Sequence, residues 1–111
     1  MIEITILNYL NRELTPPCYM EMPESPSGSF VIIEKTGSSV TNRIHQATFA
    51  IQSYASSLAE AAALNEDVKE AMESMAELDE ISKVELNSDY NYTDTALKAY
   101  RYQAVFVVTH Y

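Results

Sequence analysis

The chain is poor in glycine, cysteine, tryptophan and positive charge. Its 111 residues include two glycines, one cysteine, no tryptophan, and seven basic residues against sixteen acidic ones, for a net charge of −9. Gly28 and Gly37 stand far apart, which excludes a glycine-rich loop cradling phosphates. Cys18 alone cannot close an internal disulfide, and no Cys/His cluster has the spacing of a zinc site. That cysteine usage fits a reducing cytoplasm. The shortage of Lys and Arg counts against direct binding of DNA, RNA or an anionic membrane, because those need clustered positive charge. No apolar run approaches the ~20 residues of a membrane span. The N-terminus carries Glu3 and no basic segment, so it does not read as a signal peptide. No metal and no cofactor are expected.

What is present suits a folded domain. The hydrophobic fraction is 47%, ordinary for a globular chain, and the length is that of one domain spanning residues 1–111. Eight tyrosines lean the composition toward β structure. Ile2, Ile6, Tyr9, Leu10 and Leu14 recur at helical spacing, so residues 2–14 are expected to form a short amphipathic helix. Pro16-Pro17 ends it. Residues 18–22 read as a short strand, 23–28 as a turn, and 30–36 as a strong β-branched strand. Gly37-Ser38-Ser39 is expected to be a flexible polar loop. Residues 43–54 alternate and read as a third strand, with a bulge allowed and a helix as the rival.

Ser57 with Glu60 fits a capping box, in which each side chain bonds the other residue's backbone N–H. Leu58, Ala61, Ala62, Val68, Met72 and Met75 follow as an apolar stripe, with Asn65 as a point where the helix could kink or break. From Ile81 the chain reads as two strands around a polar turn at Asp89–Asp94. In the last strand both faces turn apolar after Gln103, so it is expected to be central and covered on both sides. The expected fold is α+β: a mainly antiparallel sheet of about five strands with two helices packed on one face.

The chemistry-bearing residues are few. Asp89-Tyr90-Asn91-Tyr92-Thr93-Asp94 places oxygen-bearing side chains like the start of a calcium loop. It lacks the glycine of the sharp turn, however, and Tyr100 stands where the bidentate glutamate belongs. It therefore reads as a turn whose Asp, Asn and Thr bond their own backbone. His45 and His110 are the only histidines. No serine sits in a nucleophile elbow, and Cys18 follows its Pro-Pro pair without a catalytic motif. The chain is expected not to be an enzyme. An enzymatic reading needs His45 or His110 beside Cys18 or a carboxylate. Eight acids lie between Glu60 and Glu80 with Lys69 the only base. Like-charge i,i+4 pairs such as Glu66–Glu70 and Glu73–Glu77 destabilise a helix by a few tenths of a kcal/mol each, so a use as a cation site or docking surface stands beside the commoner reading of such a run as a solvated face. Tyr90 and Tyr92 near the terminal turn suit a protein interface, whereas Tyr100 and Tyr102 suit the core.

Several segments carry a family resemblance: CYMEMP at 18–23, SFVIIEKTGSS at 29–39, HQATFAIQSYASSLAEAA at 45–62, and DYNYTD at 89–94 followed by YRYQAVF at 100–106. The most telling pieces are Glu34-Lys35-Thr36-Gly37, Ile51-Gln52-Ser53-Tyr54-Ala55 and Tyr100-Arg101-Tyr102-Gln103. The order resembles minor structural proteins from the tail-assembly clusters of long-tailed bacteriophages and prophages, in particular tail terminator and tail-completion proteins at the head–tail junction. The resemblance covers nearly the whole chain and implies a central sheet flanked by helices. It also implies self-association as a ring, commonly of six subunits, that caps the tail tube and receives the head connector. The expected setting is the host bacterial cytoplasm during assembly and the virion tail afterwards. The acidic balance suits a lumen that repels DNA. The surfaces expected to make contacts are Thr36, Gly37, Ser38 and Ser39; Glu66, Glu70 and Glu73; and Asp89, Tyr90, Tyr92 and Asp94. The alternative is an acidic binding module or inhibitor that imitates nucleic-acid charge and captures a basic partner.

Overall fold

The computed structural model describes residues 1–111 and has the order α1 (Ile2–Glu13), β1 (Cys18–Tyr19), β2 (Phe30–Thr41), β3 (Ile44–Ala55), α2 (Leu58–Ser74), β4 (Ile81–Asn91) and β5 (Tyr100–His110). A 3₁₀ turn, Met75–Glu77, continues α2. The fold is α+β, a five-stranded sheet of order β1-β2-β3-β5-β4 with both helices packed on it. Only the β1–β2 pair is parallel, so the sheet is mixed. No helix is long and apolar enough to cross a membrane.

Strand periodicity divides the sheet into two faces. Toward the helices point Val31 and Ile33 of β2, Ala47, Phe49 and Ile51 of β3, and Ala104, Phe106 and Val108 of β5, all buried in one core with Ile6, Tyr9, Leu10, Leu64, Val68, Met72 and Met75. The other face carries Phe30, Ile32 and Tyr54 as a separate small cluster. Beside that cluster, Val105 and Val107 remain half-exposed. The last strand lies inside the sheet as expected, but it is covered on one side only. The reason is that the chain has two helices and both pack on the same face.

Four further expectations change. Gly37, Ser38 and Ser39 are not a loop: they pair with Thr48, Ala47 and Gln46 as part of β2. The β3 partner supplies a hydrogen-bond ladder that outweighs the weak strand preference of glycine and serine. The bulge falls on β2, between Lys35 and Gly37, and there the Thr36 hydroxyl donates to the Thr48 carbonyl at 3.3 Å. Asp89 and Tyr90 lie within β4, which runs on to Asn91, so the turn comes later, around Asp94. Strand β1 is shorter than the 18–22 segment.

Helix α2 runs through Asn65 unbroken. Its N-cap is Ser57, whose Oγ accepts from the Glu60 N–H at 3.2 Å, but the Glu60 carboxylate binds the Ser56 hydroxyl and leaves the box half formed. Leu58 at the head of the expected stripe is 40% exposed, whereas Val68, Met72 and Met75 are fully buried.

This division of α2 is testable by denaturant unfolding. Met72→Ala removes a fully buried side chain and is expected to cost about 2–5 kcal/mol. Leu58→Ala is expected to stay within about 0.5 kcal/mol of the parent. Equal losses at the two positions would contradict the assigned face.

Candidate functional site

The expected contact residues fall into three groups that the fold sets apart. The first joins α2 to the outer strand β4. Lys69 Nζ lies 2.8 Å from Glu66 Oε1 and 2.9 Å from Asp89 Oδ2. The Asn65 amide, buried on the same helix, donates to Asp89 Oδ2 at 3.0 Å. Asn65 is therefore no helix breaker but the anchor of a link between helix and strand. The hydrogen bond from Lys69 holds the Asp89 carboxyl below its ordinary range against partial burial, with the Asn65 amide assisting. Hydrogen bonds to Glu66 and Asp89 raise the Lys69 ammonium in turn. Glu73 adjoins this group, lining a cleft with Lys69, Val84, Leu86 and Phe106. Glu70 faces elsewhere, into a cleft between α1 and α2 shared with Tyr9, Leu14, Pro16 and Asp67.

The second group crosses the helix-free face. The Gln103 amide donates to the Tyr90 hydroxyl, the Gln52 amide donates to Gln103 Oε1 at 2.8 Å, and the Tyr54 hydroxyl donates to Gln52 Oε1 at 3.0 Å. Arg101 Nη1 donates to the Tyr54 hydroxyl at 2.8 Å, and its guanidinium lies 4.5 Å from the Tyr92 ring centroid. Tyr92 packs edge-on against Tyr90 at 5.9 Å. The six side chains thus close a circuit over β3, β5 and the end of β4, one that fixes amide and hydroxyl orientations together. Sequence reasoning named Tyr90 and Tyr92 as contact residues and missed Gln52, Tyr54, Arg101 and Gln103. A signal was available: glutamines on strands of alternating pattern, with Tyr and Arg two residues away, mark one shared face. The fold pairs Gln52 with Gln103 and Tyr54 with Arg101.

The third group is the distal end of the β2–β3 hairpin. Thr36, Gly37, Ser38 and Ser39 lie there, all exposed, and it ends in the turn residues Asn42 and Arg43, both with positive φ (51° and 67°). No helix covers it: Val40 and Ile44 are 61% and 54% exposed. Its outer edge is free, since β1 pairs only with Val31 and Ile32. The turn after β4 lies at the opposite end of the sheet, where Asp94 accepts from the Ala96 and Leu97 amides and so serves its own turn. Tyr100 and Tyr102 are half-buried.

Of the remaining reactive groups, His110 shares a cleft with Glu80 and Tyr111, its Nδ1 3.2 Å from the Tyr111 main-chain oxygen. His45 and His110 stack on each other across β3 and β5 at 5.4 Å. Cys18 is buried on β1, and burial pushes its thiol up to about 12. No three His, Cys, Asp or Glu side chains come together as a metal site would require. The chain matches no family model, and no curated protein is similar enough to count as a match.

The Asp89 link has a defined pH signature. A carboxyl depressed in the folded state contributes stability that is present above its unfolded value near ~3.9 and lost as the pH falls through the folded value. A raised lysine contributes below its unfolded value near ~10.4 and loses that contribution as the pH rises through the folded value. Asp89→Asn is therefore expected to lower Tm by a few degrees at neutral pH. The gap from the parent should close in acid, below the ordinary carboxylate range. A gap that persists unchanged into acid would show that the charge of Asp89 is not what matters.

Proposed function

We propose that this chain is a structural subunit of tail assembly in a long-tailed bacteriophage or prophage. On this reading it is a tail terminator or tail-completion protein that acts without catalysis, by self-association and docking. Copies associate as a ring, six being the common number, where the tail tube meets the head connector. The work takes place in the host bacterial cytoplasm and ends in the virion tail. The segments quoted above supply the family element of this reading.

The observation that carries the self-association is the distal end of the β2–β3 hairpin. It presents exposed Val40 and Ile44 beside an unpaired strand edge that carries no charge from Thr36 to Asn42. Exposed apolar side chains beside free backbone N–H and C=O groups are what a second chain can use. The opposite outer strand, β4, has two register shifts and carries Lys83, Glu85 and Asp89, devices that discourage edge pairing. The net charge suits a ring around a DNA channel, because an acidic wall repels the genome. The acidic-module reading keeps one observation of its own. Asp67, Glu70 and Glu73 on α2 have no basic partner within the chain, which leaves them free for a basic protein.

Light scattering after size exclusion separates the two. Repulsion between copies of net charge −9 is screened as the Debye length falls from about 10 Å at 0.1 M salt to about 3 Å at 1 M. A ring-sized species that grows with concentration and salt is the expected result. A monomer under all conditions, together with capture of a defined basic protein, would favour the module.

A further inference from the structure

In a chain with sixteen acids and seven bases, an unpaired base is informative. Arg12, Lys35, Lys69 and Lys83 each have a carboxylate within ion-pair distance. Arg101 is held by Tyr54 and Tyr92. Arg43 and Lys98 have no such partner.

Arg43 also sits where its backbone is disfavoured. Asn42 and Arg43 are the two central residues of the β2–β3 turn, with φ of 51° and 67°. A two-residue hairpin turn with both central φ positive takes asparagine readily at the first position and glycine at the second. A side chain at the second position brings its Cβ toward the carbonyl oxygen, which is a strained arrangement. The fold alone would be served better by glycine, a mismatch that Lys98 shares at φ 52°; Arg43 differs in its setting, since Lys98 lies four residues from Asp94 and Arg43 has no acid nearby in sequence. Its neighbours are the exposed Val40 and Ile44. No acid occurs between Glu34 and Glu60, so the hairpin end presents a cation with apolar flanks and no negative charge.

The complement of that tip is an acidic surface with apolar content, and the chain carries one. Asp67 and Glu70 of α2 line the cleft against α1, about 300 Å³ in volume, together with Tyr9, Leu14, Pro16 and Ala71. Neither carboxylate has a base within ion-pair distance.

We propose that the β2–β3 turn is the docking tip of a head-to-tail contact between copies of this chain, with Arg43, flanked by Val40 and Ile44, seated against Asp67 and Glu70 of the next copy. The inference rests on the self-association reading and specifies its interface. Two different surfaces meet, so the contact propagates, and a suitable rotation closes it into a ring. Salt acts on the two electrostatic effects unequally. It screens the long-range repulsion of exposed charge, while a pair covered at an interface is screened much less.

The test compares association of full-length variants by light scattering, with Tm measured on each. Lys98 serves as the matched control, an unpaired base at φ 52° in the other hairpin turn. Arg43→Gly is expected to keep or raise Tm while weakening association at least about tenfold. Lys98→Gly is expected to leave association unchanged. Arg43→Glu and Glu70→Arg should each weaken association, and the two combined in one chain should restore it. Association unaffected by Arg43→Gly, or equally weakened by Lys98→Gly, overturns the assignment of the tip. Failure of the combined charge exchange to restore assembly overturns the choice of the Asp67–Glu70 cleft. If the parent protein never associates, both the self-association reading and this contact fall, whereas a parent that assembles with an indifferent Arg43 removes only the contact.

Discussion

The pairing of β3 with β5 is the constraint on which the rest of the molecule depends. Eleven consecutive residue pairs run from His45–His110 to Ala55–Tyr100, between segments with the whole of α2 and β4 lying between them in sequence. Closing so long a loop costs entropy before any contact repays it. What repays it is two-sided. On the helix side, Phe49 meets Phe106 and Ile51 meets Ala104. On the other side, Ala50 meets Val105 and Gln52 meets Gln103. A slip of one residue in β5 would send Phe106 to the face without helices and turn Gln103 beneath them, while Phe49 stays in the core through the pairing of β3 with β2. Both faces therefore enforce the same register, one by apolar burial and the other by the geometry of hydrogen bonds.

The two faces then develop differently. The helix side is a conventional apolar core. Its outer limit at β4 is set by the Asn65–Asp89–Lys69 link, since Val84 is only partly buried and Leu86 is exposed along that strand. The helix-free side has too little apolar surface to form a core of its own. It is ordered by Phe30 stacking on Tyr54, at 4.7 Å between ring centroids, and by the glutamine–tyrosine–arginine circuit. A polar circuit in which each member is oriented by the next gives a rigid surface without a second layer of helices, and a rigid surface loses less freedom when something docks on it.

Legibility in the sequence followed the range of the interactions. Helix α1, strand β3 and most of α2 were readable because their periodicity is local, and the fold class followed from the order of elements. Strand β2 past Thr36 was not readable, because Gly37, Ser38 and Ser39 owe their extended form to β3 rather than to their own preferences. The one-sided cover of β5 was hidden for a similar reason: apolar residues on both faces of a strand do not reveal how many layers the chain can supply. Among the candidate contact residues, Glu66 and Asp89 did meet, through Lys69. Asp94 proved to be a turn residue, and Gln52, Tyr54, Arg101 and Gln103 were missed because their i,i+2 spacing marks a face within each strand but does not say that β3 and β5 lie side by side.

The placement of charge bears on the proposed self-association. Acids occur throughout the helices and along β4, but none lies between Glu34 and Glu60 and none follows Asp94. Those two acid-free segments contain most of β2 beyond Glu34, all of β3 and all of β5. Long-range repulsion therefore opposes contacts in which one acidic surface faces another, and it opposes least those that use the sheet and the hairpin end. A chain of high net charge stays dispersed until a specific geometry brings a neutral or cationic element to an acidic one. The free edge of β2, the uncharged run from Thr36 to Asn42 and the unpaired Arg43 all coincide at one end of the sheet. Under the proposed self-association, a free edge and an unbalanced cation at one end would restrict the orientations in which two copies could meet.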